Sequence, residues 1–179
     1  MSSVALTGTD TKQTFCSVEK GLTGTYSGDC AQARLVQIRS LMAMLDMQIS
    51  AVQTDENNIL GLSGTPDSDE QYEQDIADAV SDLQGELTGW QNQLASDQSQ
   101  LTFFQGVLAT QTANNNAVGI AKANNSISHT QSSIDGDNQQ IAADQKLIDQ
   151  YNNDELNITR YYDEQGKLAV EEATLKGSS

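Results

Sequence analysis

The chain has 179 residues, with 25 Asp and Glu against 9 Lys and Arg, for a formal net charge of −16. Nucleic acids and anionic membranes are held by cations that displace counterions, so this balance excludes both as partners. Aromatics make up 5% of residues, with one proline and one tryptophan, which excludes a thick globular core and suits a thin one shared by long helices.

Residues 1–30 are rich in Gly, Thr and Ser, with scattered hydrophobics (Phe15, Val18, Leu22, Tyr26) and no helical period. This reads as a non-helical arm, extended or partly β, ordered by packing on something else. Both cysteines, Cys16 and Cys30, lie here. The glycines between them permit a tight path. A Cys16–Cys30 disulfide implies an oxidising compartment; two free thiols are the alternative. The N-terminus shows no basic stretch followed by an apolar run, so no Sec signal is expected. No apolar stretch approaches about 18 residues, so no membrane span is expected. Secretion by another route, a virion part, a processed fragment and a cytoplasmic protein all fit these signals.

The first helix is expected over about 31–60. Leu35, Ile38, Met42, Leu45, Ile49, Val52, Glu56 and Ile59 recur at alternating spacings of three and four, a heptad seam. Met44 and Met47 lie beside it. Gly61 and Gly64 suit the helix C-terminus, and Thr65 with Pro66 suits the cap and first position of the next. The acids here do not form an EF-hand: with Asp67 at position one, Tyr72 stands at the turn glycine and Asp78 at the bidentate glutamate.

The second helix is expected over about 67–111, on the seam Ile76, Val80, Leu83, Leu87, Trp90, Leu94, Asp97, Leu101, Phe104 and Leu108. The third is expected over about 117–175, after the polar turn "TANNNAVG". Ile120, Ile127, Ile134, Ile141 and Ile148 repeat every seven residues, each followed four residues later by an amide: Asn124, Gln131, Asn138, Gln145 and Asn152. The fold expected is therefore all-α, an elongated antiparallel three-helix coiled-coil bundle with the arm at residues 1–30.

An antiparallel alignment of the last two helices sets Leu101 against Ile127, Leu94 against Ile134 and Leu87 against Ile141. The amides then fall opposite polar needs, Gln131 at Asp97 and Asn138 at the Trp90 indole, as an internal register device. The first helix is expected to fold back along about 70–97 of the second, leaving a two-helix tip near residues 98–130. There Phe103, Phe104 and Val107 make a wider apolar stripe than two helices need. These three, with Phe15 and Tyr26 of the arm, are the candidate contacts for a partner or another copy.

His129 is the only imidazole, and two distant cysteines offer no zinc cluster. No P-loop or dinucleotide fingerprint is present. No catalytic, cofactor or metal residue is assigned, and no enzyme is expected; the acids offer at most weak, diffuse Ca²⁺ binding. The expected role is a structural, self-assembling subunit of an extracellular filament, a secretion-machine tip or a virion, forming a homo-oligomer or polymer. The alternatives are a secreted protein-binding module or effector, and an acidic, Ca²⁺-responsive matrix protein of secretory granules.

Overall fold

A computed structural model describes Cys16, Lys20, Tyr26, residues 28–63 and residues 68–177. Three helices account for nearly all of these: α1 (Asp29–Leu60), α2 (Asp69–Ala113) and α3 (Ala117–Gly177). No strand occurs among the described residues. The chain is all-α and its helix limits fall within two residues of the expected ones. Most of the expected arm lies outside the described residues. Of the part described, Cys16 and Lys20 have helical rather than extended backbone, while Tyr26 does not.

The helix ends follow from local chemistry. At the end of α1, Gly61 takes a left-handed φ of 67°. That lets Leu62 N–H reach back to the Asn57 carbonyl at 2.8 Å, a paired closure that satisfies carbonyls the helix leaves open. Thr65 and Pro66, the expected start of α2, lie outside the described residues. The cap observed is Ser68, whose Oγ accepts from Gln71 N–H at 3.1 Å. Asp69 and Glu70 occupy the first turn, where the helix dipole favours acids.

Between α2 and α3 each of three asparagines has its own task. Asn114 caps α2. Asn115 adopts φ 51°, the left-handed conformation Asn tolerates better than most residues. Its N–H donates to Thr112 O at 3.1 Å, and Asn116 N–H donates to Gln111 O at 3.0 Å. Asn116 then caps α3, its Oδ1 accepting from Gly119 N–H at 3.1 Å. A Cβ at Gly119 would meet the flexible end of the Gln111 side chain, which would have to shift.

The structure resolves the chain into two units, one of Met1–Asp55 with Asp154–Ser179 and one of Glu56–Asn153. α3 contributes to both. In the first unit α1 runs antiparallel to the end of α3: Arg34 bonds Glu171, and Asp46 accepts from Gln165 at 2.6 Å. Leu35, Ile38 and Leu175 form a buried cluster, with Tyr26, Ala31, Met42 and Leu168 packed against it. A disulfide joins Cys16 to Cys30. In the second unit α2 runs antiparallel to the first part of α3.

Within the first unit α1 packs on α3 from Asp154 onward. Its Arg34 finds a carboxylate on α3 at Glu171.

The seams of α1 and α2 hold as expected. Leu35, Ile38, Leu45, Ile49 and Glu56 are buried on α1, Ile76 and Asp97 on α2, and the other seam residues of both helices are half-buried. On α3 the isoleucines face inward, but their seam partners differ from expectation. Asn124, Gln131, Asn138, Gln145 and Asn152 are all exposed. The residues one position earlier face in: Ala123, Thr130, Asp137 and Asp144 are buried and Tyr151 is half-buried. Thr130 is cheap to bury because its hydroxyl donates to Ser126 O at 2.8 Å within its own helix.

The interhelical turn yields a direct test. Replacing Asn115 by Ala, with its left-handed conformation kept, should lower stability by about 1 kcal/mol in urea unfolding, while Gly at this position should be neutral or stabilising. Equal losses for both would contradict the role given to Asn115.

Candidate functional site

The seam of α3 gathers the chain's most unusual chemistry. Thin helical pairs bury what stands at two positions per heptad, and here one of those positions is acidic. Asp137 is 5% exposed and lies within hydrogen-bond reach of Asp97 on α2, itself 6% exposed. Asp97 also accepts from Gln93 Nε2 at 3.0 Å. One heptad later Asp144 meets Glu86 of α2 in the same way. In the other unit Asp154 meets Asp55 of α1.

Each α3 carboxyl therefore faces another carboxyl. Asp137, Asp144 and Asp154 each keep one buried oxygen, Oδ2, that receives no hydrogen bond. Such an orphan acceptor is costly, and a proton on the carboxyl makes it a donor instead. The titration tendencies agree. Loss of solvent, then the hydrogen bond and charge of Asp97, raises Asp137 above the usual carboxyl range. Burial, then Glu86, does the same to Asp144. Asp154 is pushed up to about 6 by burial first, then by Asp55 and by Glu155.

These residues displace the expected register pairs. Asp97 is buried in the seam, but its partner across the helices is Asp137, not Gln131. Asn138 is exposed and so does not enter the seam beside Trp90, which is half-buried. The amide expectation rests on the cost of a lone buried carboxylate.

The ion pairs among the described residues gather at Glu171 and Glu172 of α3, with Lys20, Arg34 and Lys176. Arg34 Nε and Nη2 donate to the two Glu171 oxygens at 2.8 and 2.9 Å, a bidentate fork. Those bonds hold the Glu171 carboxyl below its usual range. Lys20 and Arg34 both lie over the Tyr26 ring, at 4.8 and 5.9 Å from its centre. Tyr26 is thus occupied within its own unit and does not stand free as a contact residue. Phe15 lies outside the described residues. Phe103 is 65% exposed and stacks edge-on against half-buried Phe104 at 5.5 Å. With Val107 and exposed Val118 they line an open groove of about 430 Å³ near the α2–α3 turn.

Among the described residues no group of three or more His, Cys, Asp or Glu is arranged to hold a metal ion, and no helix is long and apolar enough to cross a membrane. His129 is exposed. Facing carboxyls can share and release a proton.

Replacing Arg34 by Gln should lower stability by no more than about 1 kcal/mol at neutral pH, since the fork is partly exposed. Because Glu171 titrates below its unfolded value, the fork's contribution is present above the ordinary carboxyl range and is lost as pH falls through the folded value. The deficit of R34Q in thermal unfolding should therefore shrink below about pH 4; a constant deficit would assign it to packing alone. No protein-family model, no curated protein and no solved structure matches the chain.

Proposed function

We propose that the chain is a non-enzymatic structural protein, a helical subunit that assembles with copies of itself outside the reducing cytosol. One observation carries this reading: α1 is apolar over more of its circumference than its partner covers. Its seam side is buried against α3. Beside that seam Leu41 is half-buried, Met44 is 54% exposed, and Met47 and Val36 are 73% and 64% exposed. Together with Leu168 of α3, Leu41, Met44 and Leu45 line an open groove of about 420 Å³. A helix with a single partner needs a narrower stripe than this. Methionine suits adaptable contacts between copies. The Phe103 groove is a second such surface, and the Cys16–Cys30 bond supports an oxidising location, extracellular or virion-associated.

The same bond, with the acid-rich face of α2, also favours a second reading as a Ca²⁺-responsive lattice protein. A secreted binding module or effector is the third, and it needs no self-assembly.

Sedimentation and negative-stain microscopy at rising protein concentration separate them. Filaments or ordered oligomers are expected without added Ca²⁺. A lattice that forms only with Ca²⁺ would favour the matrix reading, and a monomer at every concentration would contradict assembly. In the M44E/M47E variant the concentration for half-assembly should rise at least about tenfold, since one buried Met contributes about 1.5–3 kcal/mol. Helix content should stay unchanged.

A further inference from the structure

Three facing carboxyl contacts recur along one helix. Asp137 is faced by Asp97 and Asp144 by Glu86, both from α2. Asp154 is faced by Asp55 from α1 and has Glu155 beside it on α3. None of the ion pairs among the described residues involves any of these carboxyls; they use Lys20, Arg34 and Lys176 with Glu171 and Glu172. Each α3 member is at most 8% exposed and keeps a buried oxygen with no donor.

The same contact has two opposite energies. With both groups ionised and no cation between them, the two helices repel where they should be closest. With one proton, an O–H donates to a facing carboxylate, a short charge-assisted hydrogen bond. The proton comes from water and returns to it, so no other reactant is needed.

We propose that α3 is an acid-set clasp: protons held at Asp137, Asp144 and Asp154 close its pairing with α2 and with α1, and their release toward neutral pH loosens both. Protons are thus the ligand that regulates helix pairing in each unit. This goes beyond the assembly reading and does not rest on it.

The direction follows from linkage. A carboxyl whose folded value is raised contributes stability that is complete below the unfolded value, about 3.9 for Asp, and lost as pH rises through the folded value. For Asp154 that point is about 6, so its contact with Asp55 opens across the mildly acidic range; Asp137 and Asp144 shift in the same direction.

The test compares three proteins by thermal unfolding from about pH 4 to about pH 8. They are the full chain, its D137N/D144N/D154N variant, and D82N/D135N/D163N, which removes the same charge from exposed positions. The parent and the exposed-site variant should both lose midpoint as pH rises, and the seam variant should lose much less. An equal slope in parent and seam variant overturns the proposal, as does equal flattening in both variants, which would assign the effect to net charge. Hydrogen exchange on the parent covers the case in which the seam variant fails to fold. Amide protection around residues 134–154, corrected for intrinsic exchange, should fall at least about tenfold across the range, one pKa unit being a factor of ten. Unchanged protection would also overturn the proposal.

Discussion

Two helices packed side by side can bury only two side chains per heptad from each partner, and every feature of this protein answers to that limit. A thick core hides a polar residue among many neighbours; a thin seam presents it straight to the opposite helix. On α3 one seam position is isoleucine through Ile148 and the other runs Ala123, Thr130, Asp137, Asp144. The aliphatic half supplies the hydrophobic attraction. The polar half decides what must stand opposite it, and at Asp137 and Asp144 that is another carboxyl. Pairing strength therefore depends on proton occupancy as well as on buried area.

The two units meet this constraint differently. In one, the Leu35, Ile38 and Leu175 cluster and the Arg34–Glu171 fork hold α1 to the end of α3, and the Cys16–Cys30 bond ties Cys16 of the arm to the start of α1. A crosslink over a loop of this size contributes about 3 kcal/mol in the chain-entropy account. In the other, α2 and the first part of α3 rely on a half-buried seam and on the Asn114–Asn116 turn. The second unit lacks a fork and a crosslink among its described residues, so the state of Asp137 and Asp144 weighs more heavily there.

Helix positions were legible in the sequence because their signals are local. The heptad of α1, the glycine at 61 and the asparagine run at 114–116 each act within one turn of chain. The phase of α3 was not legible. Each isoleucine is followed by two adjacent polar residues, Thr130 and Gln131, Asp137 and Asn138, Asp144 and Gln145, and either member completes a three–four alternation. Choosing the neutral amide follows the rule that lone buried charges are costly. It overlooks that Asp97 and Asp137 relieve that cost for each other. The pairing of α1 with the end of α3 was not legible either: Arg34 has its carboxylate partner 137 residues away, and with 25 acids in the chain the sequence does not single that one out. The Phe103 and Met47 surfaces, by contrast, are visible in sequence only as apolar residues off the seam, and their exposure needed the fold.

The central claim is that the three α3 aspartates hold protons that ordinary surface aspartates have already released. Carboxyl carbon NMR of uniformly labelled protein, followed through a pH titration, reads each aspartate directly. The account predicts that Asp137, Asp144 and Asp154 titrate above the ordinary carboxyl range, about pH 3.5–4, with Asp154 near pH 6. Titration of these three within that ordinary range would contradict it.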